Sequence, residues 1–296
     1  MKRIKLLHNA KAGDETHSEQ KLIAMIESKG FICDYSPIKS SGWDIPQETD
    51  FIVVAGGDGT VKKTAQHLLT RQLIDKRFPI AILPLGTANN LSRSLNIGEE
   101  TEQIIESWLK PKVQKFDVGR IYGLDKYNFF MEALGYGIFP HLIYKMKSID
   151  KDLPEDPDKK IETALKILHE IVLSYKTCHA HIVIDGQDHS GDYLMVEVMN
   201  IPSIGPNLLM APNADIADGL FDIILISEDQ RELIASYVDS KLNGQEIKLD
   251  LKPIRGKQLY IKWQGSDGHV DDKLLRSKDH PELKIENDKG LLEFFQ

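Results

Sequence analysis

No apolar run in these 296 residues approaches membrane-spanning length. The longest, such as Phe51 to Ala55 and Ile223 to Ile226, are the size of strands, whereas a bilayer helix needs roughly 20 residues. Cysteine is nearly missing too: Cys33 and Cys178 stand far apart, a usage that fits a reducing compartment better than a disulfide framework. There is no basic excess either. The formal net charge is −8, which argues against a nucleic-acid partner, because such partners are held by Lys and Arg that displace counterions from phosphate. The start, Met1-Lys2-Arg3-Ile4-Lys5-Leu6-Leu7, turns polar before the apolar core of a secretory signal is complete. The expected location is therefore the cytoplasm, or its membrane surface as a peripheral protein.

What is present suffices to fold. Hydrophobic residues make up 41% and charged residues 28%, an ordinary globular balance. The length exceeds the usual single core, so two domains are expected, with one large barrel as the alternative.

The first 120 or so residues alternate strand and helix patterns. Arg3 to Leu7 reads as a strand and Ser18 to Ser28 as an amphipathic helix, with Gly30 where a helix C-terminal glycine belongs. Phe51 to Ala55 is a continuous apolar run, which suits a strand buried on both faces of a parallel sheet. A helix is expected over Val61 to Leu69, a strand over Ile80 to Leu83, and helices from Leu91 and over Glu102 to Leu109. This is the pattern of a layered α/β domain. Beyond residue 122 come short strand-like segments: Tyr127 to Leu134, Ala180 to Ile184, Tyr193 to Met199, Phe221 to Ile226, Gln258 to Trp263 and Leu291 to Phe295. They predict a mainly antiparallel domain. Helical patterns over Ile161 to Tyr175 and Arg231 to Leu242 interrupt it, and the charged stretch Asp150 to Lys160 reads as a loop.

The strongest local signal is Gly56-Gly57-Asp58-Gly59-Thr60, directly after one strand and before a helix. Glycines there allow a sharp turn and close approach, while the helix N-terminus offers N–H groups and partial positive charge to a phosphate. No lysine-serine/threonine pair follows, so this is not a Walker A loop, and the spacing is not that of a dinucleotide fingerprint. A tight turn with Asp58 or Thr60 capping the helix is the alternative. A second junction reads Pro84-Leu85-Gly86-Thr87-Ala88-Asn89-Asn90-Leu91, and the first strand ends in Asn9-Ala10-Lys11-Ala12-Gly13. Ligands of open α/β sheets bind at the carboxyl edge of the strands, so three such turns there favour one site.

These motifs together resemble the diacylglycerol kinase catalytic domain family, which includes sphingosine and ceramide kinases and bacterial lipid kinases. Gly135-Tyr136-Gly137 after Asn128-Phe129-Phe130, and Ala211-Pro212 through Asp218-Gly219-Leu220-Phe221-Asp222, extend the likeness into the second half. The resemblance implies an α/β N-terminal domain related to NAD kinase and phosphofructokinase over residues 1–122, to which a last strand of about 290–296 returns. It implies a C-terminal, mainly antiparallel β-sandwich over 123–289, with ATP bound between the two. The implied activity is transfer of the γ-phosphoryl group to a diacylglycerol-like or sphingoid-like hydroxyl. Asn9, Ala12, Gly13, Gly56, Gly57, Asp58, Gly59, Thr60, Gly86, Thr87 and Asn89 would surround the nucleotide phosphates. Asp58 and Asp271 would be the catalytic carboxylates, and Asp215, Asp218 and Leu220 would supply oxygens to a structural Mg²⁺, a hard cation suited to such ligands. An Asp-Gly turn between strands is the other reading of that last segment. The implied partner is a lipid substrate at a membrane surface; a homodimer stays open.

Some positions depart from the family pattern. Lys62 and Lys63 stand where relatives carry an asparagine-glutamate pair, Asn90 where aspartate is usual, and Asp271-Asp272-Lys273 where Asp-Gly-Glu is expected. Ile204-Gly205-Pro206 replaces a run of three glycines. Phosphoryl transfer rests on carboxylates that hold metal and take a proton. Two further readings follow: a catalytically silent nucleotide- or lipid-binding homologue, and an NAD-kinase-like enzyme acting on a soluble alcohol. Lys62 and Lys63 are read either as phosphate contacts or as a solvated pair on a helix. Cys178, His179 and His181 are read as a polar strand face, since a tetrahedral zinc site needs more ligands.

Overall fold

The computed structural model describes residues 1–12, 18–39, 43–70, 77–149, 153–154, 156–245, 247–276 and 281–296. The chain divides into two compact units, one of residues 1–116 with 290–296 and one of residues 117–289.

In the first unit a parallel sheet is built from β1 (Arg3–His8), β2 (Ile32–Pro37), β3 (Phe51–Gly56) and β4 (Ile80–Pro84), in the order β4-β3-β1-β2. β3 lies between β1 and β4, and all six of its residues are buried, as its unbroken apolar sequence demands. Phe294 of the last strand pairs with Ile80 in parallel. Four helices accompany the sheet: α1 (Glu19–Ser28), α2 (Asp58–Leu69), α3 (Asn90–Ser94) and α4 (Thr101–Ser107). Ser18 caps α1, its hydroxyl accepting the Lys21 N–H at 3.3 Å, and Gly30 leaves the helix at φ 86°, the left-handed exit glycine favours. Phe51 anchors the core on this side, with ring centroids 5.8 Å from Phe31, 5.8 Å from Trp108 and 4.8 Å from Phe295.

The second unit is an antiparallel β-sandwich. Its strands 254–256, 221–226, 195–199, 133–137, 267–270 and 273–276 run side by side in one sheet. Strands 191–193, 178–184, 258–263 and the first part of the last strand, Leu283–Phe295, form the other. Helices Pro157–Ser174 and Arg231–Leu242 bury their apolar faces in a common cluster through Leu165, Leu168, Val172, Ile234 and Val238, so the first of them packs within the domain.

Three expectations need correction. Tyr193 to Met199 is not one strand: Gly191–Tyr193 pairs with Cys178–Ala180, and Met195–Met199 belongs to the other sheet. The buried Leu194 carries the chain from one to the other, so continuous apolarity conceals the switch. Tyr127 to Leu134 likewise breaks between Phe129–Phe130 and Ala133–Gly137. Of the loop expected over Asp150 to Lys160, residues 150–152 and 155 lie outside the described residues, and its end is helical from Pro157. Asp156 caps that helix by accepting the N–H groups of Asp158 and Lys159 at 2.9 and 3.2 Å, with proline at the first position, where its missing N–H costs nothing. Among the described residues no helix is long and apolar enough to cross a membrane.

Removing the ring at position 51 should destabilise the first unit most. Phe51→Ala is expected to cost about 3–5 kcal/mol, read as a lower urea midpoint by circular dichroism; a shift equivalent to under about 1 kcal/mol would mean that the aromatic cluster is not its centre.

Candidate functional site

The carboxyl ends of β1, β3 and β4 bring three turns together. β3 and β4 are neighbours, with Gly56 opposite Pro84, so their turns leave the sheet side by side. A Cβ at Gly86 would lie 2.4 Å from the Gly57 Cα, and one at Gly57 would lie 3.0 Å from the Gly86 Cα. Only backbone fits between them. Gly56 is equally confined, because its Cβ would lie 2.5 Å from the Thr60 Oγ1.

Side chains then lock the turns. The Asp58 carboxylate accepts the backbone N–H groups of Asn90 and Leu91 at 3.0 and 3.1 Å, so the first residue of α2 caps α3. The charge favours that end of a helix, where N–H groups lack intrahelical partners. Asn89, left-handed at φ 52°, folds its side chain back onto its own turn, accepting the Gly86 N–H at 3.0 Å and donating to the Gly86 carbonyl at 2.7 Å. From β1, Asn9 donates to the Thr60 Oγ1 at 3.4 Å, and its own oxygens accept the N–H groups of Lys11 and Ala12. Thr87 lies half-buried in the same turn. Gly13 lies outside the described residues.

Gly59 differs from the other three glycines. It is exposed at the start of α2, its φ lies outside the left-handed range, and a Cβ there would meet nothing within 4 Å. Among the described residues nothing in the packing requires a glycine at this point, although alanine is the better helix former.

The two lysines of α2 differ. Lys62 is buried, whereas Lys63 is exposed and its ammonium donates to the Ile38 carbonyl.

In the second unit Asp271 sits at φ 53° in the two-residue turn joining strands 267–270 and 273–276. Its Oδ1 accepts the N–H groups of Glu132 at 2.8 Å, Met131 at 3.2 Å and Ala133 at 3.3 Å. Lys273 is tied to Asp272 at 2.6 Å. Asp271 and Asp58 belong to different units.

In the 215–220 segment the Asp218 oxygens are already engaged within the chain. The Asp218 carboxylate pairs with the Arg255 guanidinium and accepts the Leu220 N–H at 2.8 Å, while its carbonyl accepts the Lys289 ammonium at 3.1 Å. Asp215 accepts the N–H of Ala217 at 3.0 Å. Two cations thus sit on Asp218, and the Asp117 carboxylate braces the turn by accepting the Gly219 N–H at 2.6 Å. Among the described residues no group of three or more His, Cys, Asp or Glu side chains is gathered to hold a metal. The carbonyl and carboxylate pattern suggested a cation, but Arg255 and Lys289, distant in sequence, supply one internally. Hence the nucleotide-free thermal midpoint should be the same in EDTA and in excess Mg²⁺. Arg255→Ala should lower it by no more than about 2–4 °C, as befits a partly exposed pair; a wild-type midpoint that climbs with Mg²⁺ would reject this account.

Sequence comparison matches residues 3–121 to the diacylglycerol kinase catalytic domain and residues 156–275 to the YegS C-terminal NAD kinase beta sandwich-like domain. A Staphylococcus aureus protein named "Putative lipid kinase" is 25% identical over 242 residues, covering 81% of this chain and 75% of that protein. A Bacillus subtilis protein named diacylglycerol kinase is 23% identical over 263 residues, covering 83% and 81%. A crystal structure from Bacillus anthracis titled as a "putative diacylglycerol kinase" superposes with a TM-score of 0.75 at 21% identity, over 99% of this chain and 94% of that one; this last likeness is one of fold. With both halves matched in order and the α/β unit and antiparallel sandwich in place, the chain belongs to the diacylglycerol kinase catalytic domain family.

Proposed function

We propose that the protein is an ATP- and Mg²⁺-dependent lipid kinase that phosphorylates a diacylglycerol-like or sphingoid-like hydroxyl, met at a membrane surface. The observation that carries this reading is the open space over Gly59. Three glycines of the two turns are needed by the fold itself; the fourth has no described neighbour that needs it, which suits a ligand lying against it. A phosphate seated on the N-terminus of α2 is the ligand that position suits.

Bound ATP would supply the phosphoryl group, and the chain's residues divide the remaining work. Asn9, Ala12 and Gly13, with Gly56 to Thr60 and Gly86 to Asn89, hold the phosphates, largely through backbone N–H groups. Asp58 keeps the two glycine turns in register through its bonds to Asn90 and Leu91, so its contribution is to orientation. Asp271 takes the proton of the acceptor hydroxyl as that oxygen bonds to the γ-phosphorus and the bond to the leaving diphosphate breaks; ADP and a lipid phosphate result. Its anchored Oδ1 fixes the direction of the carboxylate, and an oriented carboxylate is what general-base transfer requires.

The test is a single turnover with labelled ATP, Mg²⁺ and total lipid in detergent, alongside ATP-binding measurements on glycine variants. A labelled lipid is expected. Gly59→Ala should keep the wild-type fold and weaken ATP at least about tenfold, whereas Gly86→Ala should lose about 1–3 kcal/mol of stability through overpacking. ATP binding without any labelled lipid points to a silent homologue, label on NAD to the soluble-alcohol reading, and undiminished ATP affinity in Gly59→Ala removes the phosphate site from α2.

A further inference from the structure

Among the titratable side chains buried in the sandwich, Glu197, 0% exposed, and His269, 1% exposed, have no part in the reaction as drawn so far. They stand on strands that are not neighbours. Glu197 pairs across the sheet with Gly135, and Gly135 pairs in turn with His269. The Cα atoms of residues two strands apart are separated by roughly 10 Å. Because the residue between has no side chain, Glu197 and His269 reach over it and meet, with the imidazole Nε2 2.9 Å and 3.0 Å from the two carboxylate oxygens. A Cβ at Gly135 would lie 2.2 Å from the Glu197 carboxyl. The glycine makes the pair possible.

The other ring nitrogen points at the candidate base. His269 Nδ1 is 2.7 Å from the Asp271 carbonyl oxygen. A carbonyl only accepts, so Nδ1 carries a proton, and one further proton is held between Nε2 and Glu197. Asp271 itself occupies the left-handed region at φ 53°, which costs a non-glycine residue of order 1–3 kcal/mol and persists only where the surroundings impose it. Its N–H donates to the Ala133 carbonyl at 2.7 Å and its carboxylate accepts from residues 131 to 133. His269 supplies the hold on its remaining backbone group.

We propose that Glu197 and His269 form a buried positioning pair for Asp271, in which the shared proton keeps Nδ1–H donated to the Asp271 carbonyl and so keeps the strained residue and its carboxylate in place. This rests on the reading of Asp271 as the base; the pair's hold on the turn does not.

The charged neighbours are few. Glu197 and Asp271 face the imidazole directly, and the adjoining strands present Gly135 on one side and Leu274 on the other. From the helix Ile138–Ser148, packed on this region, His141 lies 3.4 Å from Asp267 and Lys147 donates to the Asp272 carbonyl. Burial, the largest single effect, disfavours the imidazolium, but Glu197 and Asp271 together outweigh it and hold His269 above the ordinary imidazole value of 6.5. Burial likewise raises Glu197 above 4.5, against the opposing pull of His269. Both shifts mean that the folded chain keeps protons the unfolded chain gives up, so stabilisation falls as pH climbs, from 4.5 upward for Glu197 and from 6.5 upward for His269.

The experiment combines amide hydrogen exchange with kinetics on Glu197→Gln and His269→Asn. Exchange at Met131, Glu132, Ala133 and Asp271 should quicken in both variants while distant strands stay protected. The kcat for phosphoryl transfer should fall roughly 100-fold, as for a misplaced catalytic group, with the KM for ATP little changed. The fall in thermal midpoint on raising the pH from about 6.5 to about 9 should be smaller in both variants than in the wild type. Should neither variant fold, imidazole nitrogen shifts in the wild type decide: Nδ1 must stay protonated from about pH 5 to about pH 8. Unchanged exchange at these four residues in folded variants, or a bare Nδ1, overturns the proposal. An Asp271→Asn chain with full kcat would instead remove the base reading alone, since the exchange result stands apart from turnover.

Discussion

The approach of two backbones, at Gly57 and Gly86, is the constraint on which the rest of the first unit depends. Adjacent parallel strands run roughly 4.8 Å apart, and β3 and β4 end level, with Gly56 opposite Pro84. Whatever leaves those ends must share that spacing. Side chains at either glycine would push the turns apart, whereas their absence lets α2 and α3 start side by side and lets Asp58 bridge them by capping α3. The directions of the N–H groups at the start of α2 thus follow from strand spacing and one carboxylate. A pair of turns locked in this way is set before any ligand arrives, which limits the entropy a ligand must surrender.

The sandwich faces the same problem of holding a residue against its preference and solves it with side chains. Asp271 stands at a turn position that favours glycine; its carboxylate and its N–H are engaged by residues 131–133 and its carbonyl by His269. The turn at 215–220 is held by comparable means, with Arg255, Lys289 and Asp117 acting on it from three directions. Internal charges hold Asp218 in that turn.

How far all this could be read in advance depends on the distance over which each feature is encoded. β3 and the glycine turn after it were legible because burial on both faces leaves a continuous apolar run, and because the turn residues follow within five positions. Asp58 was legible as a capping residue, but for the helix it begins; that it caps α3 instead, 32 residues on, depends on strand order. The strand that breaks at Leu194 was read as single because the chain stays apolar as it passes between two buried sheets; at Met131-Glu132 a buried glutamate sits in the break and did not mark it. β2, the strand Val113–Tyr122, the helix Ile138–Ser148 and the hairpin at 267–276 were not read at all; β2 is an edge strand with only partial burial, so its alternation is weak. The pairing of Glu197 with His269, 72 positions apart, exists only through the register of an intervening strand. No local pattern announces it.

The departures from the family pattern bear on whether this chain still works. A position released from selection drifts most readily to a residue that stays in water, since solvated lysines cost little. Lys62 is buried, and a buried ammonium is tolerated only with compensating partners. Lys63 reaches a specific carbonyl on another element, at Ile38. Asp271, whose strain is a standing cost, is retained, although glycine at that turn would relieve it. Lys62 and Asp271 are thus each fixed by the fold, so the changed charge at position 62 alters the local electrostatics without loosening the helix that carries it.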